Sequence, residues 1–173
     1  MGANTPGECF EQYPAWIILA SNLVSLGIYA IGAYILYQIG TAWMALYLLC
    51  ALILEIRLLK KSCTNCYYYG KPCAFGKGRL ASLLFKKGKP EKFSNAPASW
   101  AEILPDLMVS LIPLLAGIAL LIAKFDFLLL LLVLLLFALS SAGNGFIRGS
   151  LACRHCRQRE LGCPAEKLFN KKK

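Results

Sequence analysis

Charge is scarce in this sequence and unevenly distributed. Asp, Glu, Lys and Arg make up 16% of the residues, against about 25% in soluble domains, there is one histidine, and no charged residue falls between Glu11 and Glu55. Set beside 58% hydrophobic residues, this shortage excludes an ordinary soluble enzyme and a disordered chain. Familiar catalytic signatures are also missing: there is no P-loop, no GxGxxG at a strand–helix junction and no HExxH, and the single His155 does not serve a Ser-His-Asp set. A non-enzymatic protein is therefore favoured over an enzyme. A basic n-region is absent too, since Met1–Pro14 holds no Lys or Arg, so the first apolar segment reads as a retained span and not a secretory signal.

In place of charge the chain carries long apolar runs. About 20 helical residues cross the hydrocarbon of a bilayer at 1.5 Å each, so the 43 residues between Glu11 and Glu55, interrupted by the turn-like Gln38-Ile39-Gly40-Thr41, predict two spans at 15–37 and 42–59. A later block predicts two more, at 103–123 and 127–147, separated by Lys124-Phe125-Asp126. Of the 19 basic residues, ten fall between Arg57 and Lys92 and eight between Arg148 and Lys173. The side reached after the second and fourth spans therefore holds 18 of them, and the positive-inside rule makes it cytoplasmic, with both termini there. Nearly all of the formal net charge of +10 then faces the inner leaflet, where each Lys or Arg beside anionic lipid contributes on the order of 1 kcal/mol. Anionic head groups are the expected partners of this surface, with a cytoplasmic protein as a further candidate. Nucleic acid is disfavoured, because Tyr67-Tyr68-Tyr69 beside Lys71 reads as an interfacial tyrosine belt before it reads as a base-stacking platform. The stretch 76–97, with Lys86-Lys87-Gly88-Lys89-Pro90, reads as an amphipathic segment and linker lying on the membrane.

A repeat organises the whole chain. After the second span stand Cys63, Cys66 and Cys73; after the fourth stand Cys153, Cys156 and Cys163, with the same CxxC-x6-C spacing. Each triplet precedes a basic tail with a Leu-Phe pair, Leu84-Phe85-Lys86-Lys87 in one half and Leu168-Phe169-Asn170-Lys171 in the other. The halves are thus 1–99 and 100–173, each with two spans and a cysteine motif. Two spans per copy give both copies the same orientation, so the expected fold is an all-α integral membrane protein of four transmembrane helices, built as two parallel-repeat hairpins into a four-helix bundle with a cytoplasmic cysteine-rich cap. Thiols in a reducing compartment bind metal or do redox chemistry in preference to forming permanent disulfides, and two matched motifs at the mouths of duplicated hairpins are a specific signal for metal. Cys50 lies in mid-span, where a thiol is ordinarily a small apolar residue, and Cys9 is either a spare ligand or without a role. His155, inside the second CxxC, is expected to point outward, with zinc ligation as its alternative.

Cys-x2-Cys-x6-Cys in two copies resembles the binuclear zinc cluster, Zn2Cys6, of a family of transcription-factor DNA-binding domains, and the basic residues after Cys156 strengthen the likeness. The resemblance covers the 22 residues of the two motifs, which 79 residues separate here. What it implies is a metal geometry: two zinc ions bridged by Cys63 and Cys153, with Cys66 and Cys73 completing one tetrahedron and Cys156 and Cys163 the other. The main competitor is iron. Cys163-Pro164 matches the Cys-Pro ending of the bacterial ferredoxin run, but that run needs Cys-x2-Cys-x2-Cys-x3-Cys, and iron–sulfur clusters leave ligands over or short where zinc uses all six. The leading reading is thus a membrane protein with a structural zinc cluster that orders a basic cap. An iron–sulfur or dithiol electron-transfer protein is the alternative.

Polar residues in the spans are few and lie toward the cytoplasmic ends. Groups at membrane depth are costly unless paired or hydrated, so Asn22, Glu55, Asp106, Asn144 and Arg148 form a candidate polar pocket, which a small lipid-modifying enzyme, the lowest-ranked reading, would use. The competing account is snorkelling of the charged members at helix ends. Ser141, Gly145 and Gly149 recur every four residues and predict close helix packing on the fourth span.

Overall fold

The computed structural model describes residues 9–94 and 100–163, and these are helices and turns, with one isolated parallel bridge between Phe10 and Cys156. The helices are α1 (Ala15–Tyr37), α2 (Thr41–Lys61), α3 (Lys77–Leu84), α4 (Pro90–Ser94), α5 (Trp100–Ala123), α6 (Phe127–Ala138) and the single turn α7 (Asn144–Phe146). The linker around Pro97 and the tail with Leu168 and Phe169 lie outside the described residues. Four helical segments are long and apolar enough to cross a membrane, and the first three agree with the expected spans to within a turn.

The connections follow local chemistry. Gly40 closes α1 by donating its N–H to the Leu36 carbonyl, and its own carbonyl accepts from Trp43 and Met44 at the start of α2. Asp126 opens α6 as an N-cap, its Oδ1 accepting the Leu128 N–H at 2.8 Å, which satisfies one of the donors a helix start leaves unpaired.

The fourth span departs from expectation. It does not end at Ile147 but stays helical to Ala152, through two π-helical stretches, Leu139–Gly143 and Ile147–Ala152, on either side of α7. Ser140 and Ser141 donate to the Leu136 and Phe137 carbonyls one turn back, and hydroxyls that occupy those acceptors loosen the i to i−4 ladder. Arg148 falls inside this continued helix, and its guanidinium lies over the Phe75 ring, 5.5 Å from the centroid.

The chain divides into two compact units, each drawing on both halves of the sequence. One comprises Met1–Asn22, Arg57–Ala98 and Phe146–Lys173; the other comprises Leu23–Ile56 and Ser99–Gly145. The second unit holds apolar helix contacts: Ile28 and Ile35 of α1 pack with Leu129, Val133 and Leu136 of α6, and Leu114, Ala116, Leu120 and Leu121 of α5 lie against them. A Cβ on Gly117 would come within 2.5 Å of the Val133 side chain, so glycine permits the α5–α6 approach there. Gly145 and Gly149 have no neighbour within 4 Å, so the small-residue stripe expected to pack the fourth span does not do so among the described residues. Pro113 in α5 has no N–H for the Val109 carbonyl, and the Tyr47 hydroxyl of α2 supplies the missing donor at 3.0 Å. In hydrocarbon such a carbonyl has no water to turn to, which makes Tyr47 a structural partner of Pro113.

Candidate metal centre

Both cysteine motifs belong to the first unit and begin with the same backbone turn. After α2, Cys63–Asn65 form a 3-10 turn and the Cys66 N–H donates to the Cys63 carbonyl; after the second π stretch, Cys153–His155 form the equivalent turn and the Cys156 N–H donates to the Cys153 carbonyl. Cys66 and Cys156 then leave in extended conformation, with φ near −83° and −85°. The residues between the cysteines differ in use. Thr64 and Asn65 are buried, and their side chains donate to the Lys60 and Lys61 carbonyls at 2.8 Å, capping α2. At the matching place His155 stacks its ring on Phe10, 4.8 Å between centroids.

The two motifs interlock by a reciprocal exchange. The N–H of Tyr67, one residue after its CxxC, donates to Gln158 Oε1 at 2.7 Å, and Gln158 stands two residues after the other CxxC. The N–H of Arg157, one residue after that CxxC, donates to the hydroxyl of Tyr68 at 3.0 Å, two residues after the first. Each motif therefore gives an amide to the other motif's second side chain, the pattern that a local twofold produces. Both receiving side chains are buried, Tyr68 at 2% exposure and Gln158 at 3%. Tyr68 also donates to the Phe10 carbonyl at 2.6 Å, which ties in the segment before α1. That segment runs along the second motif: Phe10 donates its N–H to the His155 carbonyl, and the Tyr13 hydroxyl donates to the Ala152 carbonyl.

The sulfurs lie against this core. Tyr13, Ile17, Tyr68, Ala74 and Ala152 form its centre, and Cys66, Cys73 and Cys156 pack on it from both motifs. Backbone N–H groups point at the sulfurs: Gly78 donates to Cys73 Sγ at 3.3 Å, Tyr68 and Tyr67 to Cys66, and Gln158 to Cys156. The donor thus stands two residues on from Cys66 and from Cys156, the equivalent position in each motif. Burial pushes the Cys66 thiol up to about 11, with Cys73 and Cys163 adding to the rise, and pushes Cys156 up to about 12, with Cys66, Cys153 and Cys163 adding. Cys153 is raised by burial and by Cys163, against the opposing charges of Arg148 and Arg159.

Cys66, Cys73 and Cys156 thus share one core, while Cys63 opens the first turn, half-buried. No disulfide joins cysteines in the structure. Among the described residues no three His, Cys, Asp or Glu side chains converge on one coordination point. The donor set nonetheless suits a thiophilic metal: soft sulfur ligands from two matched turns, N–H groups aimed at sulfur, and nearby cations that offset thiolate charge. Cys9, outside the repeat, donates to Glu160 Oε1 at 3.3 Å, and burial followed by that carboxylate raises its thiol. Cys50 is exposed on α2.

The residues of the candidate polar pocket fall in both units and have these contacts within each. In the first unit Asn22 donates to the Ile18 and Phe75 carbonyls, at 2.8 and 3.4 Å, while Arg148 lies over the Phe75 ring. In the second unit the Tyr29 hydroxyl donates to Glu55 Oε1, and Asp106 is within electrostatic reach of the same tyrosine. Asn144 begins α7. Sequence reasoning missed Tyr68, Gln158, Tyr13 and Phe10 as members of the centre. The tyrosine run had suggested an interfacial belt, whereas Tyr68 is core and Tyr69 donates to the Phe85 carbonyl. The available signal was positional: Tyr68 and Gln158 occupy the same place in the two repeats. Comparison with protein-family models, with curated proteins and with solved structures finds no match to the chain.

Proposed function

We propose that this is an integral membrane protein whose two cysteine motifs jointly hold a structural zinc cluster of two ions, ordering a basic cap that binds lipid head groups on the cytoplasmic side. The reciprocal exchange between Tyr67-Tyr68 and Arg157-Gln158 carries the reading, because it sets two matched CxxC turns against a single core. In this proposal Cys63 and Cys153, the residues that open the two turns, bridge the metals, and Cys66, Cys73, Cys156 and Cys163 complete the coordination. Zinc supplies a fixed tetrahedral cross-link without redox chemistry, and structural zinc contributes free energy on the order of 10 kcal/mol to folding. Neither motif completes the cluster alone, so folding of the cap couples the two halves of the chain. The placement of 18 of 19 basic residues after the second and fourth spans supports a cytoplasmic cap and anionic lipid as its partner.

The test is elemental analysis with a visible spectrum on protein purified anaerobically in detergent. Two zinc per chain without colour is the expected result. Iron with thiolate-to-iron absorption overturns the zinc reading in favour of an electron carrier, and a colourless protein without stoichiometric metal overturns both.

A further inference from the structure

The cap contains one helix whose apolar side is turned outward. In α3, Leu80, Leu83 and Leu84 are 46%, 79% and 59% exposed, while Gly78 and Ala81 on the other side are buried. With 3.6 residues per turn the three leucines share one face, and Lys77 and Arg79 fall on its two borders. Lys86, Lys87 and Lys89 follow directly, and all three are exposed. In water such a face is a liability. Leucines bordered by cations on both edges match a bilayer surface with anionic head groups, which takes up the apolar stripe and pairs with the flanking charge.

The position of α3 fits the same partner. Its first residue follows the Phe75–Gly76 turn, and that turn is seated on α1: Asn22 donates to the Phe75 carbonyl, and a Cβ on Gly76 would lie 3.2 Å from the Ile18 side chain. Gly76 takes φ of 68°, the left-handed conformation that glycine adopts without cost, so the chain turns sharply at this level. Asn22 lies about 10 Å along α1 from Ala15 at 1.5 Å per residue. The helix thus starts beside the first two turns of α1, the end of a segment apolar enough to cross a membrane, which suits a helix lying at the boundary of head groups and acyl chains. The buried side is held by the first motif: Gly78 donates to Cys73 Sγ, the Gly78 carbonyl accepts from Gly70, and α3 packs against the Cys63–Asn65 turn.

We propose that α3 is an in-plane membrane anchor that inserts Leu80, Leu83 and Leu84 into an anionic leaflet, with Lys77, Arg79, Lys86 and Lys87 on the head groups. This names the lipid-binding surface within the function proposed above and rests on that function only for its membrane setting.

The test uses the full chain in nanodiscs of phosphatidylcholine, with and without phosphatidylglycerol, and compares Leu83→Trp with the unsubstituted protein. Leu83 is the most exposed of the three leucines, so the substitution disturbs no packing, and Leu84→Trp provides a second reporter. The added tryptophan emission is expected to be blue-shifted and to lose most of its intensity to lipids brominated on their acyl chains, more strongly with phosphatidylglycerol present. Lys86→Gln with Lys87→Gln is expected to remove that dependence on the anionic lipid. Emission that is red-shifted, quenched by aqueous iodide and untouched by brominated lipid overturns the proposal. Emission shielded from both quenchers overturns it as well, in favour of a protein covering the face. Zinc measured on the same samples separates the two ideas: quenching without zinc leaves the anchor and removes the cluster, and zinc without quenching does the reverse.

Discussion

The two cysteine motifs begin with the same turn and end in different surroundings. The first stands on a regular helix end, where Thr64 and Asn65 cap α2 and the Gly88 N–H closes on the Thr64 carbonyl. The second stands on π-helical turns, and at the place of Asn65 the ring of His155 rests on Phe10. Spacing therefore dictates the local turn, and neighbours decide how firmly it is rooted. The first motif is held by its own helix. The second is held by what reaches it from elsewhere in its unit: the Phe10 bridge, Tyr13 and the Tyr68 hydroxyl.

This contrast can be broken at the shared contact. Tyr68→Ala empties a buried aromatic site and strands the Arg157 N–H, and truncations of this kind cost about 3 to 5 kcal/mol. Thermal unfolding followed with zinc content is expected to show a lowered transition and loss of the proposed zinc, and unchanged zinc with an unchanged transition would refute the interlock. Tyr68→Phe and Gln158→Ala each remove one arm of the exchange and leave a part-buried N–H without that partner, a loss of about 1 kcal/mol. If the exchange is truly reciprocal, the two variants have similar costs, and a double-mutant cycle shows coupling between them.

The motifs are then expected to respond unequally to their inner residues. Asn65→Ala removes the buried donor to the Lys61 carbonyl, at a cost of about 1 kcal/mol, and His155→Ala, which removes the ring resting on Phe10, is expected to cost less. Denaturant midpoints of the two variants, measured in one detergent, check the ranking. The smallest effect is expected on the second motif's helix: Ser140→Ala with Ser141→Ala frees the Leu136 and Phe137 carbonyls and is expected to slow amide exchange between 139 and 143 by restoring α-helical bonds. Exchange rates identical to those of the unsubstituted chain would assign the π turn to packing and not to the hydroxyls.

The spans were legible because their signal is one-dimensional. A run without charge has few alternatives to a membrane helix, so α1 matches its expected ends, Ala15 and Tyr37, and Asp126 is recognisable as a cap before an apolar run. The end of the fourth helical segment was not legible, because Arg148 reads as a span end by charge, whereas its guanidinium meets Phe75, distant in sequence, and the helix runs on to Ala152. The same holds at the candidate centre. Cys63, Cys66, Cys73, Cys153, Cys156 and Cys163 announce themselves by spacing, but Tyr68 carries no mark that separates it from Tyr67 and Tyr69 until the second motif is placed beside it.

By itself, then, the sequence determined four helical segments long and apolar enough to cross a membrane, two equivalent CxxC turns and a strongly basic composition, because hydrophobic runs, turn spacing and charge act on near neighbours along the chain. Tertiary structure decided which tyrosine is buried, how the two motifs exchange amides, and that the space beside Gly145 and Gly149 is open while Gly117 receives Val133. These depend on groups far apart in the sequence meeting with the right hydrogen-bond geometry and the right volume, and neither quantity is carried by a residue alone.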